Sequence, residues 1–229
     1  MHTIIQNPPR KVIFVGAHPD DPETACGGTM ALLAQAGHEV VAAYLTRGEV
    51  GIPGTSHEEA AVIRTAEALR ACELLGARAV FLGQIDGQCE VNPARYDEIR
   101  HFLEQEQPDL IFTHWPIDTH RDHRACSMLV YDAWLRMGRC VPLFYFECMA
   151  GQQSQKFFPT DYVDITAVVQ LKHPACFVHE SQHIAEWYDS SHGKMEAFRG
   201  LECGCDYAEA FTRHAQSADV ALSLYLFSH

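Results

Sequence analysis

The 229 residues predict an α/β protein, a mainly parallel sheet flanked by helices, with a C-terminal extension. Three observations carry that reading. Short β-branched apolar runs alternate with stretches of helical apolar spacing over the first two-thirds of the chain. Glycine and proline punctuate the boundaries between them. No linker, repeat or low-complexity segment divides the chain, so residues 1–229 read as one domain.

The elements follow in order. "KVIFVGA" (11–17) is a short β-branched strand, and an amphipathic helix runs from about Thr24 to Ala36. "GHEVVAAYLT" (37–46) is a second strand entered through Gly37. The polar loop "RGEVGIPGTS" (47–56) leads to a helix over 57–76, with acids in its first turn and Gly76 as its stop. "RAVFLG" (78–83) is a third strand, and 92–107 a third helix with Pro93 in its first turn. "PDLIFTH" (108–114), a helix over 123–138 ending at Gly138, and "VPLFYFEC" (141–148) complete the alternation. Beyond Gly151 the rhythm weakens. "DYVDIT" (161–166) reads as an edge strand, and 167–200 as broadly helical despite Pro174.

Composition narrows the function classes. Hydrophobic residues make up 47% and charged residues 21%, the balance of a globular chain with one substantial core. A net charge of −13 repels phosphate backbones and anionic lipid, which argues against nucleic-acid and membrane partners. No stretch approaches the roughly 18 apolar residues of a membrane span. The N-terminal "MHTIIQNPPRKVIF" lacks the basic head and apolar core of a secretion signal. Nine cysteines without a C-x-x-C pair read as reduced thiols, mostly small buried hydrophobes, and the expected compartment is the cytoplasm.

Two polar clusters stand at strand ends, where open parallel sheets bind ligands. His18-Pro19-Asp20-Asp21 follows the first strand, and "HWPIDTHRDHRA" (114–125) follows the fourth. If those strands are neighbours, both clusters face one crevice. A catalytic zinc takes three His or carboxylate ligands and keeps a position for water, and His18, Asp21 and His123 supply such a set. Asp20 is then a spare carboxylate to accept the proton of the water. His120 is placed to polarise a carbonyl or stabilise an oxyanion, with Asp122 orienting its ring. Alone, Asp21-Pro22-Glu23 also reads as a helix start with Asp21 as N-cap. The second cluster tips the balance to metal, because capping does not motivate acids and imidazoles in both loops.

These residues resemble a known family. "AHPDDPE" (17–23), Gly27-Gly28, "LTRGEVG" (45–51) and "HRDHRA" (120–125) are similar to the LmbE-like, or PIG-L, zinc-dependent N-deacetylases. "DIT" (164–166), the His179, Ser181, Gln182 pattern and "AEAF" (208–211) extend the resemblance over nearly the whole chain. The resemblance implies a Rossmann-like fold and hydrolysis of the acetamide of an N-acetylglucosamine-type amino sugar. It implies His18, Asp21 and His123 as zinc ligands, Asp20 as general base and His120 as stabiliser of the tetrahedral intermediate. Arg64 matches an arginine that family members often place in the active site, where it would bind substrate through a sugar hydroxyl or an anionic aglycone; its other reading is a solvated helix face. Glu49 is a mobile-loop contact or simply a residue tolerated on a loop tip. His179 reads as a satisfied polar residue under the C-terminal segment. Family members commonly assemble, so a homo-oligomer is allowed. Fe2+ or Mn2+ could replace Zn2+, since such sites select poorly by affinity.

Pro174 departs from the family pattern, in which a smooth C-terminal helix runs into the His179 segment. The alternatives to a deacetylase are a hydrolase of another amide or ester, and a non-catalytic metal- or sugar-binding protein. The spare carboxylate Asp20 argues against the second. A nucleotide-binding role ranks low, because the first strand-end turn lacks G-x-G-x-x-G and carries two acids.

Overall fold

The computed structural model describes residues 10–149 and 151–217. The predicted alternation is present as β1 (Lys11–Gly16), α1 (Asp21–Gln35), β2 (Glu39–Tyr44), α2 (His57–Leu75), β3 (Ala77–Phe81), α3 (Pro93–Glu106), β4 (Leu110–His114), α4 (Arg121–Arg136) and β5 (Leu143–Phe146). The C-terminal part adds β6 (Asp161–Asp164), α5 (Val169–Phe177), α6 (Ile184–Trp187), α7 (His192–Cys203) and β7 (Ala208–Arg213). The strands form one sheet in the order β3-β2-β1-β4-β5-β7-β6. The first five are parallel, while β7 pairs antiparallel with β5 and with β6.

The strand order reverses between β1 and β4, and the crevice of such a sheet opens at that point. Val12 pairs with Leu110 and Val15 with Thr113, which sets the turn after β1 beside the loop after β4. The two polar clusters therefore face one crevice.

Both sheet faces are covered, which is why the strands are apolar almost without interruption. Val12, Phe14, Ala42, Tyr44 and Phe112 pack toward α1, α2 and α5. Ile13, Val15, Val41, Ala43 and Ile111 pack toward Ile99, Leu103, Leu129 and Trp134 of α3 and α4. α2 opens with a capping box between Ser56 and Glu59 and closes at φ 70° on Gly76, the stop that its sequence predicts.

α1 differs from expectation. It begins at Asp21 rather than Thr24 and is buried on nearly every face, not amphipathic. The reason is a second layer from the C-terminal part. A Cβ on Gly28 would lie 2.5 Å from Ile165 Cγ2, and one on Gly27 would lie 3.1 Å from Lys172 Cγ. Lys172 is fully buried, its Nζ 2.9 Å from Glu209 Oε1 and 3.0 Å from Glu196 Oε2. Glu209 in turn accepts the N–H groups of Gly28 and Thr29, each at 2.8 Å.

Residues 167–200 are not one helix. They form α5, α6 and α7 with 3-10 turns between them, and Pro174 lies within the short α5. "AEAF" begins β7, a strand that the sequence pattern conceals because Glu209 is buried on it opposite Lys172. Its insertion beside β5 leaves β6 at the sheet edge, where "DYVDIT" was expected. None of the described helices is long and apolar enough to cross a membrane.

Candidate active site

β1 ends on Gly16 because nothing larger fits: a Cβ there would sit 2.8 Å from Pro22 Cδ and 3.0 Å from Asp21 Cβ. α1 can then start immediately after a four-residue turn. Asp20 takes φ 105° and ψ −29° in that turn, a left-handed conformation that costs a non-glycine residue about 1–3 kcal/mol and persists only when its surroundings enforce it. Arg64 enforces it, donating from Nη2 to Pro19 O and to Asp20 Oδ2, the latter at 2.9 Å. Thr24 Oγ1 adds a bond to Asp20 O at 2.8 Å. Asp21 is not the N-cap; Asp20 holds that place and its side chain makes no cap bond. The Asp21 carboxylate turns back instead, accepting from Ala17 N at 3.1 Å and His18 N at 2.7 Å.

That reversal aims Asp21 at three imidazoles, one of them His114, whose Nε2 lies 3.2 Å from Asp21 Oδ2. His123 Nε2 lies 3.2 Å from Asp21 Oδ1, and His18 Nδ1 lies 3.3 Å from Asp21 Oδ2. These contacts gather His18, Asp21 and His123, donor types that divalent metal sites use, at one point of the crevice. His18, His120 and His123 each bring a nitrogen within 4.8 Å of the others. The donor set therefore fits a divalent ion.

Carboxylates stand behind the imidazoles of His18 and His123. His123 Nδ1 faces Asp118 Oδ1 at 3.3 Å, and His18 Nε2 faces Asp86 Oδ1 at 3.1 Å and Asp122 Oδ2 at 3.4 Å. Such partners fix ring orientation and raise ligand basicity. Burial opposes protonation of both rings. Asp122, Asp21 and Asp86 nevertheless hold His18 well above the ordinary range, and Asp21 and Asp118 raise His123 to about 9. Asp20 differs: burial pushes its carboxyl up to about 6, against the pull of Arg64. His120 caps α4, its Nδ1 accepting the Asp122 N–H at 3.3 Å, so its proton belongs on Nε2. Burial, then the positive His18 and His123, lower its pKa and favour the neutral ring.

These side chains share a cavity of about 330 Å³, within the range of small-molecule sites. Residues 13–134, which carry both clusters, match the family model described as PIG-L, GlcNAc-PI de-N-acetylase. The chain belongs to the PIG-L family. It is 30% identical over 223 residues to the diacetylchitobiose deacetylase of Thermococcus kodakarensis, covering 89% of this chain and 82% of the relative. It is also 30% identical over 198 residues to a probable N-acetyl-alpha-D-glucosaminyl L-malate deacetylase 2 of Bacillus cereus, covering 82% and 90%. Among solved structures, the N,N'-diacetylchitobiose deacetylase from Pyrococcus horikoshii superposes with a TM-score of 0.79 at 27% identity, over 90% of this chain and 84% of that one. The 4-carboxy-2-hydroxymuconate hydratase from Pseudomonas putida superposes with a TM-score of 0.80 at 22% identity, over 93% and 100%, which speaks for the fold alone. Family membership and the deacetylase relatives make the chain an amide-hydrolysing enzyme.

Of the nine residues singled out in the sequence, six line the cavity: His18, Asp20, Asp21, Arg64, His120 and His123. Arg64 is buried rather than on a solvated helix face. Gly48 and Gly51 make room for it, since a Cβ on either would meet Nη1 at 2.4 or 2.5 Å. Asp122 is buried outside the cavity lining. Its carboxylate accepts from Gly87 N at 2.6 Å and backs His18, while only its backbone touches the His120 ring. Glu49 also points away, accepting from Asp86 N at 3.1 Å and Arg47 N at 3.2 Å, and so ties the 47–56 loop to the turn after β3. His179 is fully buried with Nε2 3.5 Å from Glu23 Oε1, yet among the described residues neither ring nitrogen has a hydrogen-bond partner, so it is not the satisfied polar residue expected.

Asp86, Asp118 and His114 escaped the sequence reading. Asp118 had a signal, lying two positions before His120 in the same loop. Asp86 had a weaker one, a lone acid just beyond a parallel strand. Nothing in the sequence separates His114, stacked on His123 with centroids 4.1 Å apart, from an ordinary strand residue. The far wall comes from the C-terminal part. Gln182 Nε2 donates to Gly51 O at 3.1 Å, and Trp187 Nε1 to Gln182 O at 3.1 Å.

Proposed function

We propose that this PIG-L family enzyme removes the acetyl group from an N-acetylglucosamine-type amino sugar or its glycoside, using a divalent ion held by His18, Asp21 and His123. The observation that carries the proposal is the convergence of those three donors beside a fourth group, Asp20, that is not needed to hold an ion. When bound, zinc, or iron or manganese in its place, polarises the amide carbonyl and makes hydroxide available at neutral pH.

The chain's own residues do the rest. Asp20 takes the proton of the attacking water and returns it to the departing amine; a carboxyl near 6 is ionised at neutral pH yet basic enough for the task. His120 donates its Nε2–H to the oxyanion of the tetrahedral intermediate, and α4 holds it in the required tautomer through Nδ1. Asp118 orients His123, and Asp86 with Asp122 orients His18. Asp122 thus acts through His18 rather than through the His120 ring. The relatives named for diacetylchitobiose and N-acetylglucosaminyl malate support the sugar class. The acidic charge and nine free thiols support a small-molecule substrate in the cytoplasm.

The test is amine release from N-acetylglucosaminides by metal-stripped protein, with and without added zinc. Zinc-dependent release that is lost in Asp20→Asn, while that variant still binds zinc, is the expected result. Release that survives in Asp20→Asn removes Asp20 from its role, and protein that binds no zinc removes the metal assignment.

A further inference from the structure

We infer that the site is built for a neutral glycoside, with the aglycone lying against Trp187, and that it discriminates against anionic aglycones. This rests on the deacetylase reading and adds to it the chemistry of the group attached to the amino sugar.

The cavity lining is of two kinds. Part of it is the donors and acids already described. The rest includes Val50, Gly51, Met149, Gln153, Gln182 and Trp187, none of them ionisable, and Gly51, Gln182 and Trp187 are linked in one wall, the far end. Among the described residues lining the cavity, Arg64 is the only lysine or arginine, and it is committed to Pro19 O and Asp20. His192 also lines the cavity but is no substitute cation: burial and then the nearby Lys172 push it down to about 3, so it is neutral. A carboxylate or phosphate on the aglycone would thus find no unengaged cation at this end. It would also enter the field of a chain of net charge −13.

What the far end does offer suits a second sugar ring. Trp187 is half-buried, and its ring is fixed by the Nε1 bond to Gln182 O. Gln182 is fixed in turn through Gly51 O, so this wall is set before a ligand arrives. An indole face packs the apolar C–H face of a pyranose, and the amides of Gln153 and Gln182 exchange hydrogen bonds with hydroxyls. A neutral disaccharide uses both features. A carboxylate-bearing aglycone uses neither and is left desolvated without a partner.

The experiment compares kcat/KM for deacetylation of N,N'-diacetylchitobiose and of N-acetylglucosaminyl L-malate by the zinc-loaded enzyme, with Trp187→Ala and Trp187→Phe alongside. The disaccharide is expected to be preferred by about tenfold or more, a gap that narrows as salt screens the field. Trp187→Ala is expected to raise KM for the disaccharide about tenfold with little change in kcat. The same variant should raise KM for N-acetylglucosamine, which has no aglycone, by less. Trp187→Phe keeps an aromatic face but loses the Nε1 bond, so recovery of KM in that variant assigns the effect to stacking rather than to wall structure. Equal or better turnover of the malate glycoside, or a KM indifferent to Trp187→Ala, overturns the inference while leaving the deacetylase reading intact. Turnover of neither glycoside, nor of N-acetylglucosamine, overturns the deacetylase reading and this inference with it.

Discussion

Replacing Arg64 by Met isolates the most consequential electrostatic pair in the cavity. The guanidinium lies 2.9 Å from Asp20 Oδ2, and its side chain is only 4% exposed, so solvent screens the pair little. Burial pushes Asp20 up to about 6 even with Arg64 in place. An adjacent cation lowers a carboxyl by about 1–3 pKa units, so its loss should carry Asp20 to about 7–9. Near pH 7 the ionised fraction would then fall from about nine-tenths to between about one-half and one-hundredth. A base works only when ionised. The expected result is a drop in kcat/KM of about twofold to a hundredfold near neutrality, recovering at alkaline pH as the acid limb of the pH–rate profile moves upward. Arg64→Lys, which keeps a cation, should move the limb much less. The assay is kcat/KM against pH for the three proteins, with circular dichroism to confirm that each is folded. A uniform loss at every pH, with the acid limb unmoved, would refute the reasoning and leave Arg64 as a structural tie between α2 and the turn.

Three other outcomes are expected. Asp118→Asn should weaken zinc binding by about 10–100-fold, measured by competition with a chromophoric chelator, while activity at saturating zinc changes less. Gly28→Ala would place a methyl 2.5 Å from Ile165 Cγ2 and 2.6 Å from Ile165 Cβ, and should lower stability in urea by about 1–3 kcal/mol. Glu196 is held down to about 2 because Lys172, then His173, outweigh its burial. A depressed carboxyl stabilises the fold above its unfolded value, and the contribution fades as pH falls from about 4.5 toward about 2. Glu196→Gln should therefore be less stable at neutral pH and lose less stability over that acidic window, as followed by chemical denaturation.

The parallel sheet was legible because its strands are buried on both faces and separated by helices whose start and stop signals are local. The gathering of His18, Asp21 and His123 was legible because two of the three share one strand-end turn and the third lies in a loop of matching chemistry. What escaped the sequence depended on partners distant along the chain. β7 carries a buried Glu209 that makes sense only opposite Lys172, and α1 is buried all round only because α5 packs on Gly27 and Gly28. Asp122 was matched with its near neighbour His120, whereas its carboxylate reaches His18, more than a hundred positions earlier. Glu49 looked like a loop-tip contact because nothing local shows that Asp86 N would draw it inward.

The interruption of sequence between Asp21 and His123 has a bearing on how the protein comes into being. A ribosome releases His18 and Asp21 early, but His123 emerges only after β2, β3 and β4 have been made, so under the proposed assignment a nascent chain has no complete donor set to offer an ion. β4 must align on β1 before an ion can be captured. An ion bound afterwards closes a loop of roughly a hundred residues, a span whose entropy of closure the folded sheet has already met. Its capture then becomes a late, fold-dependent event that draws newly made molecules toward the native state. At free metal about a thousand times the dissociation constant, that pull is about 4 kcal/mol.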